Sequence, residues 1–223
     1  MTVRRKSTVL HIKNIKSVCV KYADRGLNKS KSYGKLLHEI LGITFFVLFT
    51  VHHILSLSYT KALFSGRHTA DKILKTAVDI LMFVSVLLII LSALPVSEYV
   101  FTFLGLGRFS STARTVHMLS AYWGFALMNL HIGFHLDVML KKPLADKKKK
   151  PVVISALLAV FTVGVFLFIK EGIYKYMLLI NRFVFFDFAG GLPLFLFKYI
   201  FIGLAFSVLG YGMISLCKRK KSL

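Results

Sequence analysis

The stretch "VVISALLAVFTVGVFLFI", residues 152–169, sets the tightest limit on what this chain can fold into. It contains no charged side chain. A helix needs about twenty such residues to cross a bilayer. Within lipid, every backbone N–H and C=O must find a partner inside the segment, which a helix provides and an open strand does not. Comparable runs cover about Leu36–Leu57, Ile73–Leu94, Thr115–Leu140 and Leu192–Leu216. They are continuous rather than alternating, which is the helical pattern. The expected fold is all-α, an integral membrane bundle of about five transmembrane helices.

The charge pattern agrees. The 223 residues are 56% hydrophobic and only 17% charged, yet the formal net charge is +21. In a soluble protein that excess would point to nucleic acid. Here the Lys and Arg residues lie between the apolar runs and at the ends, as in "KKPLADKKKKP" and "CKRKK". That placement suits anionic lipid and topology control, so membrane lipid is the expected partner and nucleic acid is not. Residues 1–35 form a basic arm with ten Lys or Arg against one acid, Asp24. Residues 36–216 form the transmembrane domain, and residues 217–223 a basic tail. The arm has no long apolar core, so no signal peptide is expected. The segment "KEGIYKYMLLINRFVFFDFAGG" is aromatic and broken by charge, and is expected at a membrane interface. Short-loop charge puts the Lys-rich loop and the tail inside. The arm would then lie outside, against its own cations. Cys19 and Cys217 have no paired spacing and imply neither a disulfide framework nor a metal motif.

Ionisable side chains inside a span are costly, and functional by default. The third run, "HMLSAYWGFALMNLHIGFH", holds His117, His131 and His135. A single buried His often does no more than bond a neighbouring helix. The spacing argues for more. His117 and His131 are fourteen residues apart, and so are His38 and His52 in the first run. Fourteen residues are four helical turns less roughly 40°, over roughly 21 Å, so each pair shares a helix face. One span lies between these two runs, so both point the same way across the membrane. His38 can therefore be level with His117, and His52 with His131. Two facing imidazole pairs, one near each surface, are what two haem groups need for axial ligation.

Other residues fit around that pattern. Gly124 lies seven residues from both His117 and His131, and Gly42 is one turn from His38. Both could admit a porphyrin or simply allow close helix packing. Arg114 could pair with a haem propionate or anchor the helix at the interface. His53 neighbours His52, and His135 is one turn beyond His131, so either could substitute as a ligand. His135 could otherwise bond a propionate or a quinone carbonyl. Glu39 is a snorkelling interface acid or a proton relay. Asp79, inside the second run, has no partner that the sequence reveals. Tyr122 and Trp123 are expected to pack near the haem face. His11 and His68 lie outside the runs and carry no assignment. No nucleophile triad, phosphate loop or thiol metal site is present.

The motifs "LHEILG", "VHHIL", "ARTVHMLSAYWGFALMNLHIGFH" and "YMLLINRFVFFDF" resemble the flavinylation-associated transmembrane cytochrome b family. The likeness runs from about residue 35 to the C-terminus. The family is akin to the cytochrome b subunits of membrane formate dehydrogenases and hydrogenases. The resemblance implies a protein with two haem b groups that moves electrons across a bacterial cytoplasmic membrane. It implies exchange between the quinone pool and an extracytosolic flavoprotein or other redox partner. The chain would then be an electron-transfer subunit rather than a stand-alone enzyme. The resemblance also implies His38, His117, His131 and one of His52 or His53 as ligands. The family usually has a hydrophobic helix before the His-Glu motif, where this chain has the basic arm. Ala93 stands where the family has Gly, and Ser56 where it has Asn. The competing expectation is a non-redox membrane protein. It would be a small transporter or assembly subunit whose histidines conduct protons or bind a metal ion. Only His131 and His135 have the tight spacing that a metal ion favours, and no broken helices recur in repeated halves.

Overall fold

The computed structural model describes residues 33–58, 69–106, 110–182 and 191–220. Most of the basic arm, His11, Cys19, Lys61, Arg67, His68, Arg108, residues 183–190 and the last three residues lie outside the described residues. Among the described residues there is no strand. The helices are α1 (Tyr33–Leu55), α2 (Ala70–Val96), α3 (Ser110–Ala145), α4 (Lys150–Lys170), α5 (Ile173–Met177) and α6 (Gly191–Lys220). A 3-10 turn, Thr102–Leu104, precedes α3.

Four of these helices, α1, α2, α4 and α6, are long and apolar enough to cross a membrane. The chain is an all-α, multi-pass membrane protein in contact with lipid. The sequence leads one to expect a fifth span where α3 lies, and α3 is not among the four. Length is not the reason, since its 36 residues reach roughly 54 Å. Its composition is, because His117, Ser120, Asn129, His131, His135 and Asp137 dilute the apolar surface. The packing accounts for this. Helix α3 lies against both α2 and α6 along its length, so protein covers much of the surface that lipid would otherwise meet.

The chain divides into two compact units. The first, within the described residues, is α1 with the connector 97–103. The carboxylate of Glu39 on α1 holds this connector. It accepts backbone N–H bonds from Glu98 (2.7 Å), Tyr99 (3.2 Å) and Val100 (2.9 Å), and the Ser97 hydroxyl at 2.8 Å. Helix α2 ends at Val96, the N–H groups of the residues that follow lie outside its ladder, and one carboxylate collects three of them. Lys35 pairs with Glu98 at 2.6 Å. Glu39 therefore anchors this connector.

The second unit holds α2 to α6. Helices α2 and α3 are antiparallel: Ser92 meets His117, Ser85 lies beside Gly124, and Asp79 meets His131. Helix α6 runs parallel to α3 and antiparallel to α4. Val78, Leu127, Phe134 and Ile214 form a buried core, with Leu74, Met82 and Leu130 packed against it. In lipid such contacts gain little from expelling water, so close approach of backbones has to hold the helices together. Glycines supply that approach. A Cβ at Gly133 would collide with the Ser207 backbone, one at Gly210 with the Leu130 backbone, and one at Gly164 with the Phe201 backbone. A Cβ at Gly203 would come within 2.7 Å of Asn129 Oδ1. After α4 the chain turns through Gly172 at φ 64°, a left-handed conformation that glycine adopts without steric cost. The turn leads into α5, where Ile173 and Tyr176 are buried. The segment expected to lie at an interface thus contributes, at least here, to the packed interior.

Candidate functional site

The histidine face of α3 lies against α2. His117 Nδ1 is 3.1 Å from the Ile89 carbonyl oxygen and 3.2 Å from Ser92 Oγ. A carbonyl only accepts, so this nitrogen carries the hydrogen and donates it. The Ser92 hydroxyl donates to Leu88 O at 2.5 Å, and its lone pairs face the imidazole. Two turns along, Ile89 and Ser85 would meet a Cβ at Gly124 at 3.4 and 3.6 Å. Gly124 thus brings α3 close to α2. Two further turns on, His131 Nδ1 lies 2.7 Å from Asp79 Oδ1. This is the partner of Asp79 that the sequence did not reveal. Both groups are well covered, with side chains 24% and 16% exposed. A carboxylate accepts, so His131 too donates from Nδ1.

Both histidines are therefore fixed in the same way. Packing against α2 holds the Nδ1 edge of each ring and sets the tautomer, so an iron would be taken by Nε2. Metal-bound histidines are characteristically oriented like this, by a carboxylate or carbonyl on the other nitrogen. The donor set on α3 fits the haem that the sequence pattern implies. His135 is exposed and meets His131 edge-on, with ring centroids 5.0 Å apart. The bond to Asp79 distinguishes His131 from His135 as the held ring.

Helix α1 carries the other interval. His38 and His52 are exposed. His53 is half-buried and donates Nδ1–H to the Phe49 carbonyl one turn back, at 2.9 Å, with its ring 4.0 Å from that of Phe49. His52 meets His53 edge-on at 5.6 Å. The interval of fourteen selects His52, and the held nitrogen is found on His53. A side chain at Gly42 would meet no described atom within 4 Å.

The remaining expected residues fall as follows. Arg114 is exposed near the start of α3, one turn before His117. Tyr122 stacks on Tyr176 of α5, with centroids 5.1 Å apart and planes 6° apart. Trp123 donates from Nε1 to the Met177 carbonyl at 3.0 Å. These two aromatics tie α3 to the segment around α5, not to the histidine face. Among the described residues no three His, Cys, Asp or Glu side chains group to hold a bare metal ion. Ser92, the Ile89 carbonyl and the glycines facing α3 and α4 were not singled out from sequence. Gly203 and Gly210, seven apart on the last run, were the available signal.

Neither the protein-family models nor the curated proteins nor the solved structures contain a match to this chain.

Proposed function

We propose that the protein is a b-type electron-transfer protein carrying two haem groups, with His38, His117, His131 and one of His52 or His53 as axial ligands. Haem supplies the chemistry, passing one electron at a time between ferric and ferrous iron. The chain's own part is to hold imidazoles at two membrane depths, roughly 21 Å apart along a helix, with their tautomers set. The observation that carries this reading is the repeated fourteen-residue interval, joined to the matching Nδ1 anchors of His117 and His131 on α2. The resemblance extends it. Quinone and an extracytosolic flavoprotein or other redox subunit are the proposed partners, and the bacterial cytoplasmic membrane the proposed location. Arg114 is the proposed propionate partner, with Gly42 giving the porphyrin room.

A reduced-minus-oxidised visible spectrum of the purified protein, with a pyridine haemochrome assay, tests this. Two b haems per chain are expected. A protein that folds, as judged by a single symmetric elution peak, and contains no haem would overturn the proposal in favour of a non-redox role.

A further inference from the structure

The two histidines of α3 are held alike in geometry and differently in charge. His117 donates to a neutral carbonyl at 3.1 Å, beside a neutral hydroxyl. His131 donates to a carboxylate at the shorter distance of 2.7 Å. Hydrogen bonds to an ionised acceptor are shorter and about twice as strong as neutral ones. A carboxylate drawing on the Nδ1 hydrogen leaves the ring more electron-rich at Nε2, and a more electron-rich ligand favours ferric over ferrous iron. The low surroundings of dielectric in a membrane bundle strengthen the effect. One cation lies close by: Lys75, one turn from Asp79 on α2, acts electrostatically on His135. It is common to the wild type and to the Asp79 variants, so comparing them isolates the carboxylate, and Lys218 further along is paired with Asp137.

Granted the haem assignment above, on which this rests, we infer that Asp79 is a positioning residue that makes the two haems unequal. The haem on His131 has the lower midpoint potential, and the haem on His117 the higher. At equilibrium a single electron in the protein then resides on the His117 side. The asymmetry is built into α2, which presents a carboxylate at one end of the histidine face and a carbonyl with a serine at the other.

The test is a dithionite titration of the whole protein, followed in the visible bands, for wild type, Asp79→Asn and Asp79→Glu. Wild type should show two midpoints. Asp79→Asn should keep two haems by the pyridine assay and raise only the lower midpoint. The expected shift is at least tenfold in the reduction equilibrium, about 59 mV for one electron. Asp79→Glu should restore much of the difference, since it restores the charge. Two retained haems with both midpoints unmoved in Asp79→Asn would overturn the inference and leave the haem assignment standing. A wild-type protein without haem would overturn both. Should Asp79→Asn not assemble, His117→Ala and His131→Ala provide a second test. The haem kept by His117→Ala should have the lower midpoint of the two, and equal or reversed midpoints would overturn the inference.

Discussion

Helices α1 and α3 carry the same histidine interval in opposite settings. No residue in the membrane-length window of α1 is buried, and its composition alone qualifies it to cross a bilayer. Helix α3 is too polar to qualify, yet it buries Ala113, Met118, Ser120, Ala126, Leu127 and Phe134. Helix polarity therefore follows the cover that protein provides, rather than membrane depth alone. On α3 the imidazoles of His117 and His131 find partners on α2, while the Thr115 and Ser120 hydroxyls and the Asn129 amide bond carbonyls four residues back on α3 itself. On α1, His53, Thr44 and Thr50 likewise bond the carbonyls four residues back, and Glu39 bonds the connector.

Glycine substitution should break this comparison most sharply. Gly133→Leu drives a side chain into the Ser207 backbone, and overpacking of this kind costs about 1–3 kcal/mol or more. We expect loss of the folded peak in detergent size exclusion and a large fall in melting temperature. Gly42→Leu should keep the folded peak, since nothing described lies within 4 Å of a Cβ there. On the haem proposal it should nonetheless lower haem content. A folded Gly133→Leu variant of unchanged melting temperature would show that the α3–α6 approach is not needed.

Next in size are the ligands. His117→Ala and His131→Ala should each lose about half of the haem and leave the other pair spectrally intact, by pyridine assay. On α1, His52→Ala is expected to lose one haem and His53→Ala to keep both. The reverse result would assign the ligand to His53 and rank the held Nδ1 above the matched interval.

A smaller effect is expected at Glu39. Glu39→Gln removes a charged acceptor from three backbone N–H groups. The loss is about 1 kcal/mol for a partly solvated site, or roughly fivefold faster amide exchange. Hydrogen exchange at Glu98, Tyr99 and Val100 measures it, and α2 and α3 should be unaffected. Smallest is Trp123→Phe, which gives up one bond to the Met177 carbonyl. That is about 0.5–1.5 kcal/mol, seen as a modest fall in melting temperature with haem content unchanged.

The legible part of the fold was the part with local causes. Apolar runs and the two histidine intervals could be read directly, and the helices stand within a few residues of the runs. The tail of α3 ran further than expected, to Ala145, with Pro143 inside its last turns. The face of α3 carrying His117, Gly124 and His131 was also legible, because it needs only 3.6 residues per turn. What that face meets was not. Gly124 could equally admit a porphyrin or a helix, and in the fold it lies beside Ser85 and Ile89 of α2.

Helicity, a place in the membrane and the recurrence of histidines at one interval on two runs were all written in the order of residues. Each of these follows from lipid as solvent and from helix geometry, which act within a single segment. Folding was needed to pair Asp79 with His131, to set Ser92 and a backbone carbonyl against His117, and to anchor the connector on Glu39. Those pairings depend on which helices abut and how each is rotated. Gly124 brings α3 close to α2, and Gly133, Gly164, Gly203 and Gly210 set the approaches of α6 to α3 and α4; no periodicity along one segment encodes these meetings.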